Sequence, residues 1–228
     1  MIYLWGSFKS TSLDLLEQEL NNLGVLTLRS LGPAHAVLPT TLIVCWGYSL
    51  SPSFNILNAG GPKGDKWKEL TLLADANISI PDFSKSYRKG WYARRFHHHS
   101  ASDLRQNLTS GDYYTEPIAC THEYRVHALL GQTRSALKVP KDRTAHPVFR
   151  THSLGWIFDY HVNPSYRIIE EAQKAVAAVG YDFGAVDVGV KQDGTPVVFE
   201  VNSAPTLSPA TAAWYSKRLA AHHSTLKG

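Results

Sequence analysis

The sequence predicts a mixed α/β fold of the α+β type, in which short apolar strands and amphipathic helices alternate. Leucines recur every three to four residues between Ser10 and Leu23, and apolar residues recur in the same way between Pro164 and Val179. Both segments are therefore expected to be helices. Two apolar segments on either side of Lys191–Gly194 predict a strand hairpin. With 228 residues, 43% of them apolar, the chain is long enough to bury one or two cores.

The first sixty residues are expected to form a small β-α-β-type unit. Strands are predicted at Ile2–Trp5, Val25–Leu28 and Thr41–Trp46. The helix between the first two strands begins at Ser10–Ser12, whose hydroxyl groups are suited to capping, and ends at Gly24. This order of elements is typical of strands connected in the α/β manner.

The rest of the chain is interpreted in the same way. Asn58–Asp65 contains three glycines and a proline, so it is predicted to be a flexible hinge. The elements predicted after it are a helix at Lys66–Ala76, strands at Trp91–Phe96, Tyr113–Ala119, Thr121–Leu130 and Gln132–Val139, a helix at Pro164–Val179, the hairpin strands Ala185–Val190 and Thr195–Val201, and a helix from Ala210.

The hairpin carries the strongest functional signal. Asp187 and Glu200 lie on its two arms, and Asn202 follows Glu200 by two residues, so alternation along the strand places Glu200 and Asn202 on one face. Carboxylate and amide oxygens at a strand end are hard ligands suited to Mg²⁺. The alternative is a hairpin with solvated acids, in which Asn202 begins the turn before Pro205.

This pattern resembles the C-terminal signature of the ATP-grasp ligases. The matching residues are Asp187, Glu200, Asn202 and Pro205, after a helix and the segment Gly180–Asp182. The resemblance is greatest to enzymes that add glutamate to protein or peptide carboxyl ends, with D-alanine–D-alanine ligase and glutathione synthetase as cousins. The compact length also resembles that of phage-encoded members.

The resemblance implies two α+β subdomains that clasp ATP, preceded by a short N-terminal β-α-β domain. The implied boundaries are residues 1–57 for the N-terminal domain and 58–228 for the ATP-grasp domain. Within the latter, residues 58–118 would form the central lobe and residues 119–228 the C-terminal lobe.

The segment from Asp65 to Pro81 resembles the entry of the family into its central lobe. The lysine that reaches the nucleotide phosphates in the family corresponds to Lys66. The alternative is a surface lysine in the first turn of a helix, a place that the helix dipole does not favour for a cation.

The family places a phosphate-binding lysine on the strand that matches Trp91–Phe96, followed by a glycine-rich lid. Here Arg94 or Arg95 replaces that lysine, and an arginine also binds phosphate well. Adjacent strand residues face opposite sides, so only one of the two is expected to bind, and the sequence leaves open which. The lid becomes His97–Asp103, which contains no glycine. Its three histidines are interpreted as a polar loop over the phosphates rather than as a metal site.

Two acids are implied to hold the nucleoside. The resemblance implies that the segment Glu116, Pro117 and Ile118 contacts the adenine edge with its backbone, and that Glu123 accepts hydrogen bonds from the ribose hydroxyls. The alternative for Glu123 is an ion pair with Arg125 at a strand end.

Three basic residues are implied to act in catalysis. Arg125 matches an arginine that contacts phosphate or substrate, and Lys138 matches a basic residue near the transferred phosphate, where it would also bind the nucleotide. The alternative for Lys138 is a solvent lysine. Arg150 begins a stretch that resembles the border of the acceptor pocket, although His152 replaces the asparagine of the family.

The resemblance thus implies an ATP- and Mg²⁺-dependent ligase that joins a carboxylate to an amine through an acyl-phosphate, with Mn²⁺ as a substitute metal. Small-molecule or peptide carboxylates and amines are the implied partners. Two alternatives remain: an ATP-grasp protein that binds nucleotide without ligation, suggested by the missing glycines, and a basic nucleic-acid-binding module. The intact Asp187, Glu200 and Asn202 set argues against the first alternative.

Composition limits the remaining possibilities. The net charge of +4 is scattered rather than clustered, which suits a phosphate-bearing ligand and does not indicate nucleic acid. Cys45 and Cys120 lie in apolar contexts and are expected to be reduced. No apolar run is long enough to span a membrane, and the first residues do not resemble a signal peptide, so we expect a cytoplasmic protein. The sequence leaves open whether the protein forms a homo-oligomer.

Overall fold

The structure is a computed structural model that describes residues 1–30, 40–51, 53, 55–97 and 105–226. It contains four α-helices among these residues: α1 (Thr11–Asn22), α2 (Lys66–Asp75), α3 (Tyr166–Ala178) and α4 (Pro209–Thr225). The strands are β1 (Ile2–Trp5), β2 (Thr27–Ser30), β3 (Leu42–Cys45), β4 (Ile56–Leu57), β5 (Phe83–Ser84), β6 (Tyr92–Arg94), β7 (Arg105–Gln106), β8 (Tyr113–Thr115), β9 (His122–Leu129), β10 (Gln132–Pro140), β11 (Trp156–Asp159), β12 (Phe183–Val190) and β13 (Pro196–Asn202).

The chain divides into two compact units. The first contains Met1–Lys63, Gly180–Gly184 and Asn202–Gly228, and the second contains Gly64–Val179 and Ala185–Val201. The described residues form three sheets, and the mixed α/β class that the sequence predicts is confirmed. No helix of the described residues has the length and apolar character needed to cross a membrane.

The first unit is built on a parallel sheet in the order β2-β1-β3-β4. Helix α1 begins at Ser10, whose hydroxyl accepts a hydrogen bond from the Leu13 backbone N–H at 3.3 Å. Leu13, Leu16 and Leu20 are buried, as the spacing predicts, whereas Leu23 follows the helix and is exposed. Helix α1 packs against α4. Helix α4 begins after Ser208, which caps it, with Pro209 at the first helical position.

Hydrogen bonds hold the segment predicted as a flexible hinge from Asn58 to Lys63. The Asn58 side chain accepts from the Asp182 N–H at 2.7 Å and donates to the Phe183 carbonyl at 2.8 Å. The Lys63 N–H donates to the Tyr181 hydroxyl at 2.9 Å. Gly61 has φ +89°, and a Cβ there would lie 2.1 Å from the Tyr181 ring, so only glycine fits. These contacts join Asn58–Lys63 to Tyr181–Phe183, and the flexibility predicted for Asn58–Asp65 stays a prediction.

The second unit contains a four-stranded sheet in the order β5-β8-β6-β7 and most of a five-stranded sheet in the order β11-β10-β9-β12-β13. Strands β9, β10 and β11 are antiparallel neighbours. The β9-β10 turn consists of Leu130 and Gly131, both with positive φ, as a type I′ hairpin turn requires. This turn fixes the register that aligns the side chains of β9 and β10.

The structure differs from the sequence prediction mainly at short strands. Strands β4, β5, β7 and β11 were not predicted, and β2 begins two residues later than expected. A strand of two residues shows no period, and the aromatic run of β11 shows no polar alternation, so neither has a pattern to detect. The helices and the longer strands are confirmed within a few residues of their expected bounds.

Candidate active site

Four charged side chains meet on one face of the five-stranded sheet. Arg125 on β9 donates two hydrogen bonds to Asp187 on β12, from Nε to Oδ1 at 2.8 Å and from Nη2 to Oδ2 at 2.9 Å. Lys138 on β10 donates to Asp187 Oδ2 at 3.0 Å and makes a second ion pair with Glu123. All four side chains are largely buried. Lys138 is therefore not a solvent-exposed lysine, which was its alternative interpretation. Glu123 forms its ion pair with Lys138 and not with Arg125, which was the alternative for Glu123.

The charges of this cluster are set by burial and by mutual attraction. Burial would raise the pKa of Asp187, but the charges of Arg125 and Lys138 outweigh it and hold that pKa below its usual range. Burial would lower the pKa of Lys138, and Asp187 and Glu123 raise it instead. For Glu123, burial is the larger effect and raises the pKa, although Lys138 opposes it. Asp187 is therefore an anion and Lys138 a cation at neutral pH.

A second cluster joins the start of α2 to the end of β13. Asp65 caps α2 by accepting from the Lys68 N–H at 3.0 Å, so Lys66 occupies the first turn. Lys66 Nζ lies 3.3 Å from Glu69 Oε2 and 3.4 Å from Glu200 Oε1. Burial would lower the pKa of Lys66, but these two carboxylates raise it above its ordinary value. The Lys66 side chain is only 13% exposed, which rules out the surface-lysine alternative.

Glu69 is a residue that sequence reasoning missed. It is buried, and burial raises the pKa of its carboxyl group. Its Oε1 accepts from the Val201 N–H at 3.0 Å and thereby ties α2 to the strand that carries Glu200. The available signal was an acid three residues after Lys66, a spacing that places both on one face of the helix.

The predicted magnesium ligands Asp187, Glu200 and Asn202 offer a donor set of hard oxygens. The two carboxylates are held by cations of the chain, Asp187 by Arg125 and Lys138 and Glu200 by Lys66. Asn202 Oδ1 accepts from the Ala204 N–H at 3.2 Å, which is the turn that the alternative interpretation predicted. No group of three or more His, Cys, Asp and Glu side chains in the described part of the chain is arranged for a metal ion. The chemistry of the donors suits Mg²⁺, provided that the ion pairs exchange.

The two arginines at the end of β6, Arg94 and Arg95, have different surroundings. Arg95 pairs with Asp112 at 3.1 Å, and its side chain is 56% exposed. Arg94 lies over the buried Tyr113 ring at 6.0 Å, and Tyr113 in turn contacts Trp67 of α2. The Lys66 N–H donates to the Phe96 carbonyl at 3.1 Å and fixes this strand to the start of α2. Arg94 therefore lies on the α2 side of the sheet, the side of the Lys66 cluster.

The segment predicted to contact the adenine edge follows β8. The Glu116 N–H donates to the Asp82 carbonyl at 2.8 Å, and the Thr121 N–H donates to the Val190 carbonyl at 2.8 Å, so both ends of the segment are fixed. Glu116, Pro117 and Ile118 are each partly exposed. Of the predicted lid, His97 lies beside the start of α2, where its Nδ1 donates to the Gly64 carbonyl at 3.2 Å. Residues 98–103 of the predicted lid lie outside the described residues.

Arg150 lies apart from the Asp187 pair. It donates to the Cys120 carbonyl at 2.8 Å and lies over the Trp156 ring at 5.0 Å. It thus links the chain between β8 and β9 to β11. An open cavity of about 600 Å³ lies beside it, lined by residues of the 141–157 segment that include His146, His152 and Trp156. Both cysteines are free, as the sequence predicts.

The chain is similar over nearly its whole length to solved structures of known ligases. A structure of the ATP-grasp ligase PsnB with a minimal precursor, Mg and ADP matches with a TM-score of 0.68 at 12% identity, over 97% of each chain. The macrocyclase MdnC of Microcystis aeruginosa MRC, bound with the precursor peptide MdnA, matches with a TM-score of 0.63 at 12% identity, over 97% of this chain and 99% of that one. D-alanine–D-alanine ligase from Bacillus anthracis matches with a TM-score of 0.61 at 13% identity, over 99% and 93%. No family model and no curated protein sequence matches the chain.

Proposed function

Because the chain has the ATP-grasp fold that its sequence predicted, we propose that it is an ATP- and Mg²⁺-dependent ligase that forms an amide bond between a carboxylate and an amine. The observation that carries this proposal is the buried cluster of Asp187, Arg125, Lys138 and Glu123. A buried set of acids and bases on one sheet face is costly to maintain and is typical of a site that handles charged substrates.

The positions of the clustered residues suggest where each part of the nucleotide would lie along the sheet. Glu123 would accept the ribose hydroxyls, because a carboxylate has acceptor positions left after one bond from Lys138. Glu116, Pro117 and Ile118 would meet the adenine edge. Phosphate groups would then meet Lys138 from one lobe and Lys66 with Arg94 from the other. These assignments carry over from the sequence and are supported by the grouping of the charges.

Asp187, Glu200 and Asn202 would hold the magnesium ion, which neutralises phosphate charge and orients the nucleotide when bound. The residues of the chain do the rest. Lys66, Lys138 and Arg125 would place positive charge beside the phosphates, so that the oxygen of a substrate carboxylate can approach the γ-phosphorus without strong repulsion. That attack would release ADP and give an acyl-phosphate; an amine would then attack its acyl carbon, form the amide bond and displace inorganic phosphate. Positioning and electrostatics supply the rate, and no nucleophilic side chain is needed.

The substrates are proposed to include a peptide. PsnB and MdnC are bound to precursor peptides in the matching structures. The predicted division into an N-terminal domain of residues 1–57 and two ATP-grasp lobes remains part of the proposal.

The experiment is a screen for Mg²⁺-dependent ADP release with pairs of carboxylates and amines, with the product identified by mass spectrometry. We expect release of ADP and phosphate that depends on both substrates, and its loss in Glu200→Gln. Binding of a non-hydrolysable ATP analogue without turnover for any pair would favour the nucleotide-binding alternative. Binding of nucleic acid in place of nucleotide would favour the basic module.

A further inference from the structure

Arg134 is a basic residue that the proposed mechanism does not use. It lies on the face of the five-stranded sheet that carries Arg125 and Lys138. It lies on β10 four residues before Lys138, and alternation along the strand places both side chains on the same face. Its cross-strand partner is His127, two residues after Arg125 on β9. Arg134 therefore continues the line of charged side chains beyond the Asp187 pair.

Arg134 differs from these other cations because neither a carboxylate nor a backbone carbonyl among the described residues holds it. Arg125 is held by Asp187, Lys138 by Asp187 and Glu123, and Arg150 by backbone carbonyls. No carboxylate among the described residues lies within ion-pair distance of Arg134, and its buried Nε–H has no hydrogen-bond acceptor there. A buried donor without an acceptor is costly, so a group of this kind points to a ligand.

The surroundings of Arg134 hold it in place without neutralising it. Its guanidinium lies over the Tyr160 ring at 4.9 Å, a contact that orients the guanidinium plane. His127 is fully buried, and burial, with the charges of Arg125 and Arg134, lowers its pKa to about 3. His127 is therefore neutral at physiological pH and supplies no counter-charge. What remains is one uncompensated positive charge with donors in a fixed plane.

The order of residues along β10 gives the position of this charge within the site. Lys138 contacts Glu123 and Asp187, Ala136 pairs with Arg125, and Arg134 pairs with His127. The direction from the proposed ribose ligand Glu123 to the proposed metal ligand Asp187 thus continues to Arg134. At about 3.3 Å per residue, Arg134 lies one side-chain step past the level of Arg125, away from the nucleoside.

We propose that Arg134 forms a subsite for a second carboxylate of the substrate, so that the preferred acid is a dicarboxylate or an acidic residue of a peptide. This inference rests on the proposed function, because the first carboxylate is the one that would be activated by ATP. The planar guanidinium matches a carboxylate geometrically and binds it through paired N–H donors. The nucleotide phosphates are assigned to Lys138, Lys66 and Arg94, so Arg134 is left for a second anionic group.

The test compares a dicarboxylate with a monocarboxylate of similar length. Calorimetric titrations with glutarate and with butyrate, in the presence of Mg²⁺ and a non-hydrolysable ATP analogue, are run on the wild-type protein, Arg134→Gln and Arg134→Lys. Arg88→Gln is the matched control, since Arg88 also lies over an aromatic ring, that of Trp91 at 4.6 Å, but outside the five-stranded sheet. Thermal unfolding of each variant checks that the fold is retained.

We expect the wild-type protein to bind glutarate more tightly than butyrate by about tenfold or more, as for a charge-assisted hydrogen bond. Arg134→Gln should lose this preference, Arg134→Lys should retain part of it, and Arg88→Gln should keep all of it. Equal binding of the two acids by the wild-type protein, or binding of neither, would overturn the subsite, as would a preference that survives in Arg134→Gln.

Three measurements separate this inference from the function on which it rests: the same titrations repeated without nucleotide, binding of the ATP analogue, and release of ADP. If the ATP analogue does not bind but the preference for glutarate still depends on Arg134, the subsite stands and the ligase proposal fails. If the analogue binds and ADP is released with other acids while Arg134→Gln changes nothing, the ligase proposal stands and the subsite fails.

Discussion

Arg125 and Asp187 form a bidentate ion pair, with Nε–Oδ1 and Nη2–Oδ2 distances of 2.8 and 2.9 Å. The pair lies on the face of the sheet where the metal is proposed to bind. The pair is largely buried, and Lys138 adds a third contact at 3.0 Å. The proposed metal ligand is therefore already neutralised by the chain. Binding of Mg²⁺ and nucleotide would replace these contacts, since the freed Arg125 and Lys138 would then pair with phosphate oxygens.

The first prediction concerns the stability that this pair provides. Asp187→Asn should lower the free energy of unfolding by about 3–5 kcal/mol, because it leaves the buried cations Arg125 and Lys138 without their main counter-ion. The double variant with Arg125→Gln should recover part of the loss. Urea unfolding of the single and double variants gives the coupling energy.

The control for this cycle is Glu170→Gln, which removes an exposed helix pair with Lys174 at 2.9 Å. Such a pair contributes about 0.5 kcal/mol or less. If Asp187→Asn proved no more destabilising than Glu170→Gln, the Asp187 carboxylate would not be the anchor of a buried cluster.

The second prediction concerns Lys66. Lys66→Met should raise the KM for ATP by about tenfold or more, as for loss of a charge-assisted hydrogen bond to phosphate. Lys68→Met is the matched control, since Lys68 lies on the same helix and is exposed. The two variants are compared in a steady-state assay of ADP release. A similar small change in both would mean that Lys66 serves only to hold Glu69 and Glu200 in place.

The sequence predicted the fold well where patterns are long. The leucine spacing of α1, the apolar face of α3 and the hairpin with Asp187 and Glu200 each span two turns or a full strand, so their period was detectable. Strand β11 was not predicted, although it carries Trp156 and Phe158, on which Arg150 and Arg125 are stacked. Its identity as a strand depends on pairing with β10, which is a tertiary property.

The sequence predicted which residues belong to the candidate site but not which of them form ion pairs with one another. The sequence predicted Lys138, Glu123 and Asp187 as candidate site residues, but it could not indicate that Lys138 pairs with the other two, because the three lie on separate strands. Glu69 was missed because a single acid on a helix usually faces solvent. Its burial became apparent only from its contact with the Val201 N–H of β13.

The third prediction concerns the loop at Asn58–Lys63. Gly61→Ala should destabilise the protein by about 1–3 kcal/mol more than Gly90→Ala, because the added methyl group would overlap the Tyr181 ring. The two glycines have nearly equal φ, +89° and +87°, and a Cβ at Gly90 meets no atom within 4 Å. The backbone penalty is therefore the same, and the difference isolates the clash. Thermal or urea unfolding measures it, and equal losses would show that the loop can move away from Tyr181.

The last prediction concerns acid stability and His127. Burial, followed by the charge of Arg125, lowers the pKa of this imidazole to about 3 in the folded protein, against about 6.5 in an unfolded chain. The unfolded state therefore binds more protons between these values. The contribution of His127 to stability is complete above pH 6.5 or so and is lost as the pH falls towards the folded value.

A single proton gives a slope of about 1.4 kcal/mol per pH unit, so acidification from pH 6.5 to pH 4.5 should cost about 2–3 kcal/mol through His127. His127→Gln should reduce this loss by that amount, whereas His161→Gln, at an exposed position, should not. Urea unfolding at the two pH values measures each free energy. Parallel pH profiles of the wild-type protein and His127→Gln would show that the imidazole accepts a proton in the folded state, and Arg134 would then face a second cation across the strand pair.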